Sequence, residues 1–117
     1  MFEAIKNKRV LITGTSGGIG SSLARLFASQ GARLGLHYHQ GLEQARALQE
    51  EITKQGGEAE CFHADFLDHA TCGKLIQAFL RRVQGIDVLI NNAGAVNGPR
   101  HFLELDERAW DQTVALN

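Results

Sequence analysis

The chain has 117 residues, 44% of them apolar and 21% charged. That suits one soluble domain with a packed core and excludes a disordered or membrane-embedded polypeptide. Its 12 basic and 13 acidic residues give a net charge of −1, without the blocks of like charge that mark a nucleic-acid arm or an acidic tail.

Residues 1–8 hold no long apolar run, and no later stretch is long enough to cross a bilayer. The expected location is therefore the cytoplasm, with neither nucleic acid nor membrane as a partner. The first aliphatic run is Arg9-Val10-Leu11-Ile12-Thr13, nearly continuous in apolar character, as expected of a central parallel strand covered on both faces. Directly after it comes Thr13-Gly14-Thr15-Ser16-Gly17-Gly18-Ile19-Gly20. A glycine-rich turn from strand to helix lets the backbone approach a ligand closely, and the helix amides with their positive dipole end favour a pyrophosphate. Such turns also serve simply to pack a helix on a strand. No Lys-Ser or Lys-Thr follows the last glycine, so the loop is not of the Walker type.

Ile19, Leu23, Leu26 and Phe27 recur at helical spacing and predict an amphipathic helix stopped at Gly31. Arg33-Leu34-Gly35-Leu36-His37-Tyr38 is the second strand. Leu42, Ala45, Leu48 and Ile52 mark the second helix, which leaves Glu50, Glu51 and Lys54 to water and stops at Gly56-Gly57. The third strand is Glu58-Ala59-Glu60-Cys61-Phe62-His63, followed by Ala64-Asp65-Phe66. A third helix, with Asp68 as cap, carries Leu75, Ile76, Phe79, Leu80 and Val83 and ends before Gly85. Asp87-Val88-Leu89-Ile90-Asn91 is the fourth strand, also read as central, and Asn91-Asn92-Ala93-Gly94 closes it. Pro99, the one proline, lies in the following loop, and a fourth helix opens at Asp106 and is still running at Asn117. Cys61 and Cys72, on a strand and a helix without Cys-x-x-Cys spacing, are expected to be reduced, packed thiols.

Four aliphatic runs alternating with helical stretches predict an α/β fold: a Rossmann-like three-layer αβα parallel sheet, with about four strands present in the order 3-2-1-4. Residues 1–117 read as a single domain, incomplete at the carboxyl end. The strand tips gather the glycine loop, Tyr38, Asp65 and the Asn91 segment at one end of the sheet, where ligands of open α/β folds bind.

The spacing Thr-Gly-x-x-x-Gly-x-Gly at 13–20 resembles the cofactor loop of the short-chain dehydrogenases and reductases. The resemblance continues at Asp65, at Asn91-Asn92-Ala93-Gly94, and at Trp110 with Val114-Ala115-Leu116-Asn117, and so covers essentially the whole chain. It implies hydride transfer between a nicotinamide and a small carbonyl or alcohol substrate. As cofactor-binding residues it implies Gly14, Thr15, Ser16, Gly17, Gly18, Ile19, Gly20, Tyr38, His39, Asp65 (beside the adenine), Phe66, Asn92, Ala93 and Gly94. Asp65 and Asn91 suit turn and strand-end roles as well. Asn117 corresponds to the asparagine that the family joins to a Ser, a Tyr and a Lys in its catalytic tetrad.

The end of the second strand, where NAD-specific folds carry a carboxylate, holds Tyr38 between His37 and His39. NADP is therefore the expected cofactor and NAD the alternative, although Gly17 stands where NADP-preferring relatives often have a basic residue. His37 and His39, two apart, are expected to share a strand face, a spacing that would suit a metal; His63, His69 and His101 form no evident cluster with them, and no metal is expected. The only tyrosine is Tyr38, with Leu42 four residues on, so the family's Tyr-x-x-x-Lys pair is absent from these residues. The chain is accordingly expected to be an incomplete product that binds a dinucleotide without catalysing hydride transfer, and to form a homo-oligomer through an unpaired strand edge. A non-catalytic dinucleotide-sensing module and a purely structural flavodoxin-like domain are the alternatives.

Overall fold

The protein was analysed as a computed structural model, which describes residues 3–92. After a 3₁₀ turn at Glu3–Ile5 come β1 (Arg9–Ile12), α1 (Gly18–Ser29), β2 (Arg33–Tyr38), α2 (Leu42–Lys54), β3 (Glu58–His63), α3 (His69–Val83) and β4 (Val88–Ile90). Every strand pairing is parallel and the sheet order is β3-β2-β1-β4, the arrangement expected from the alternating pattern. The segments expected as a fourth helix, with Trp110 and Asn117, and as the loop bearing Pro99 lie outside the described residues, as do Ala93 and Gly94.

Two cores sit on opposite faces of the sheet. Because side chains alternate along a strand, Val10 and Ile12 of β1 and Leu34 and Leu36 of β2 face one way, where Ala24 of α1 and Leu48 and Ile52 of α2 cover them. Leu11 faces the other way, with Ala64 and with Leu75 and Phe79 of α3. Each large side chain buried here contributes about 1.5–3 kcal/mol. Gly35 is part of this second packing: a Cβ there would strike the Phe79 ring and Leu11, so β2 lacks a side chain where Phe79 lies against it.

Two local expectations differ from what is observed, while α3 ends before Gly85 as expected. Ile19 and Leu26 are not on the buried face of α1; they are 72% and 51% exposed, and the contact with the sheet runs through Gly20, Ala24 and the half-buried Leu23 and Phe27. Small residues at 20 and 24 bring the helix axis close to the sheet, which turns the face by one position. Among the described residues β4 stands at the edge of the sheet rather than at its centre, with Leu89 46% exposed. The chain leaves α3 with Gln84 in the left-handed conformation (φ 60°), so a non-glycine makes the turn that glycine makes after α1 at Gly31 (φ 86°) and after α2 at Gly56 (φ 87°). Asp68 caps α3 as expected, its Oδ1 accepting from the Ala70 amide at 3.1 Å.

Candidate functional site

The carboxyl ends of the four strands bring together residues 13–20, 38–41, 64–66 and 91–92. The glycine loop is held there by its own polar groups. Thr13 donates its backbone amide to the Ile90 carbonyl at 3.0 Å, and its Oγ1 accepts from the Asn92 amide at 2.9 Å. Gly14 turns the chain with φ 71°. Thr15 is buried and gives both its backbone amide and its hydroxyl to the His37 carbonyl, each at 2.9 Å. Ser16 donates its hydroxyl to the Gln40 carbonyl at 3.1 Å. Thr15 and Ser16, expected as ligand contacts, thus spend these donors on the neighbouring β2 segment and fix the shape of the loop.

Helix α1 starts at Gly18 from an extended Gly17, with no side chain capping it. The first amides of a helix have no intrahelical partner, and here the uncapped turn points its positive dipole end toward the tips of the strands. The glycines divide by what surrounds them. A Cβ on Gly18 would meet nothing within 4 Å, whereas one on Gly20 would run into the Gly14 carbonyl and the Asn92 amide. Gly20 is therefore required by packing, and Gly18 borders open space at the mouth of the sheet. Ile19 stands exposed between them.

Asn92 donates its side-chain Nδ2 to the Gly14 carbonyl at 3.1 Å, linking β4 to the loop. Asp65 accepts from the Leu67 amide with Oδ1 at 3.0 Å, the turn role that the sequence left open, while its Oδ2 stands 3.6 Å from His39 Nε2. Tyr38, half-buried, meets the His63 ring edge-on with centroids 5.4 Å apart. Phe66 stacks on the His37 ring at 4.3 Å and 11°. Ala93, Gly94 and Asn117 lie outside the described residues.

In the sequence His37 flanks Tyr38 at the end of the second strand and makes a possible metal pair with His39. The structure separates the two. His39 lies beyond the end of β2, about half exposed. His37 is buried, with Nδ1 accepting from the Gly14 amide at 3.0 Å and Nε2 2.8 Å from the Ala64 carbonyl. A carbonyl only accepts and an amide only donates, so Nε2 carries the hydrogen and Nδ1 is bare. Burial, more than any other cause, pushes the His37 pKa down, which keeps the ring neutral. The sequence did hold a signal for this: His37 shares parity with Gly35, on the face of β2 turned toward α3. Among the described residues, no three His, Cys, Asp or Glu side chains come together as metal ligands.

A depression of about 310 Å³ lies at the opposite end of the sheet, lined by Lys6, Gly31, Arg33, Gly57 and Glu58 among others. It sits at the amino ends of β2 and β3, away from the loop amides, and Arg33 there is paired with Glu58 at 2.9 Å. Cys61 and Cys72 are unpaired; Cys61 is half-buried, its thiol pushed up in pKa chiefly by burial.

Known proteins share this arrangement. The L-rhamnose 1-dehydrogenase (NAD(P)(+)) of Azotobacter vinelandii is 40% identical over 116 residues, an alignment covering 95% of this chain and 44% of that protein. Among solved structures, an NADH-dependent reductase A1-R′ complexed with NAD superposes with a TM-score of 0.89 at 39% identity, covering 99% of this chain and 48% of that one. A short chain dehydrogenase from Burkholderia cenocepacia in complex with NADP gives a TM-score of 0.88 at 29% identity, with coverage of 96% and 45%. The chain thus spans somewhat under half the length of these relatives. The family model for short chain dehydrogenase matches residues 8–117, and with the parallel 3-2-1-4 sheet and the glycine loop at its tips, the chain belongs to the short chain dehydrogenase family.

Proposed function

We infer that this chain binds a nicotinamide dinucleotide across the tips of β1, β2 and β4, as the cofactor-binding part of an oxidoreductase acting on a small carbonyl or alcohol substrate. The observation that carries the reading is the uncapped start of α1 beside the open space at Gly18. Amides and a helix dipole aimed at unfilled space suit a diphosphate, and the glycine there leaves room for it.

In this reading the diphosphate lies along Gly14, Gly17, Gly18 and Ile19, with Thr15, Ser16 and Gly20 shaping the loop from behind. The adenosine lies over Tyr38 and His39, with Asp65 and Phe66 beside the adenine. Asn92, Ala93 and Gly94 border the path toward the nicotinamide, and Asn117 serves catalysis. The nicotinamide supplies the hydride when bound, while the proton at the substrate oxygen needs an acid or base of the Tyr-x-x-x-Lys kind. Residues 1–117 contain no such pair, so they hold the dinucleotide without turning it over.

NADP is the preferred cofactor and NAD the alternative. The tip of β2 presents Tyr38 and His39 and no carboxylate to repel a 2′-phosphate, and relatives of both kinds are known. The protein works in the cytoplasm, which suits its unpaired cysteines, and self-associates, for which the exposed Leu89 on β4 is the supporting feature. No helix among the described residues is long and apolar enough to cross a membrane.

A two-dimensional ¹⁵N NMR titration with NADPH and then NADH tests the reading. Shifts centred on residues 14–20, 38–39 and 65–66 and on Asn92 are expected, with NADPH the tighter ligand. Shifts centred on Arg33 and Gly57 at the far end of the sheet, or none at saturating dinucleotide, would reject it.

A further inference from the structure

His37 joins three segments that the chain brings to the tips of the strands from far apart. Its Nδ1 holds the Gly14 amide, its Nε2–H is directed at the Ala64 carbonyl, and its face lies against Phe66. Its own carbonyl takes both donors of Thr15. The single residue thereby fixes two consecutive residues of the glycine loop, through its ring and its backbone. A buried amide left without its acceptor is costly, so the conformation of Gly14 depends on the bare Nδ1.

We propose that His37 is the positioning residue of the glycine loop, its neutral ring clamping Gly14 to the Ala64 segment so that the first-turn amides of α1 stay in their dinucleotide-binding arrangement. The proposal rests on the dinucleotide reading for its consequence, but the clamp itself is a property of the protein alone. A second proton on the ring would set two donors, Nδ1–H and the Gly14 N–H, against each other. Among the described residues, the titratable groups bearing on the ring are His39 beyond β2 and His63 at the end of β3, and both disfavour a second positive charge. The Asp65 carboxylate is directed at His39 and the Leu67 amide, and the loop after β1 presents only the uncharged Gly14 and Thr15.

Two substitutions separate the acceptor from the donor. His37→Gln keeps an N–H for the Ala64 carbonyl and loses the acceptor for Gly14; His37→Asn sets a side-chain oxygen where Nδ1 stands. In the full 117-residue chain, long-range ¹⁵N–¹H spectra of the histidine rings at neutral pH are expected to show His37 protonated at Nε2 and bare at Nδ1. The Gly14 amide signal should move on acidification with the His37 midpoint. His37→Gln should weaken NADPH binding about tenfold, and His37→Asn should recover it to within about threefold of the unaltered chain. A ring protonated at Nδ1, or His37→Gln binding NADPH as tightly as the unaltered chain, would overturn the proposal. If the unaltered chain ignores NADPH while the tautomer and the Gly14 coupling are as expected, the clamp stands and the dinucleotide reading falls.

Discussion

The Asn92 side-chain amide donates to the Gly14 carbonyl oxygen at 3.1 Å, and the two groups meet above the one position of α1 where a Cβ has no room, Gly20. The end of β4, the turn after β1 and the first turn of α1 are thereby locked into one unit.

That unit predicts the cost of filling it. Gly20→Ala would push a methyl into a backbone carbonyl that cannot move without disturbing Gly14 and Thr13. Overpacking of this kind costs about 1–3 kcal/mol. Chemical denaturation should show the loss, and a variant as stable as the parent would mean that α1 sits further from the loop than described.

Gly18→Ala is predicted to behave in the opposite sense. Its Cβ would meet nothing within 4 Å and its backbone is not left-handed, so alanine should be neutral or raise stability by about 0.4–1 kcal/mol through the unfolded chain. Dinucleotide binding should nevertheless weaken about tenfold or more, because the methyl occupies the space assigned to the diphosphate. Calorimetry on one variant thus separates stability from binding; unchanged affinity would place the phosphates elsewhere.

What the sequence made legible divides along the same line. Periodicity located the seven main elements from β1 to β4, and the glycine spacing located the turn, because both are local signals of backbone geometry. The outward turn of Ile19 and Leu26 was not legible, and the role of His37 was legible only as far as its strand parity with Gly35, for a physical reason. Ile19 and Leu26 look like core residues by hydropathy, and only the close approach permitted by Gly20 and Ala24 turns them outward. His37 reads as one of two histidines beside Tyr38 until Gly14 and Ala64, 23 and 27 residues away, arrive to satisfy both nitrogens. Parity gives the face of the strand, but the identity of partners at that separation leaves no trace in a local pattern.

At the amino end of the sheet, Arg9 donates to Asp87 through its backbone amide at 2.8 Å and through its guanidinium at 2.9 and 3.0 Å, and to the Gln84 carbonyl at 2.7 Å. These hydrogen bonds hold the Asp87 carboxylate far below its usual pKa of 3.8. A carboxylate depressed in the folded state stabilises above its unfolded pKa and loses that contribution as pH falls toward the folded one. His37, depressed below 6.5 chiefly by burial, acts with the same sign at higher pH. Stability should therefore decline in two stages on acidification, the first beginning below pH 6.5 and the second below 3.8. His37→Asn should remove the first stage and Asp87→Asn the second. A denaturation series flat between pH 7 and 4 would contradict the assignment of His37.

Cofactor choice gives the last prediction. Tyr38 ends β2 half-buried against the His63 ring, at the place where a carboxylate would accept from an adenosine ribose and repel a 2′-phosphate. Tyr38→Asp removes that ring contact and adds a negative charge. Like charges near a protein surface repel enough to matter even when partly screened. The ratio of NADPH to NADH affinity should fall tenfold or more, equivalent to about 1.4 kcal/mol, and the effect should shrink at high salt. Equal losses for both dinucleotides would instead mean that Tyr38 supports the site by packing alone and that the 2′-phosphate does not approach the tip of β2.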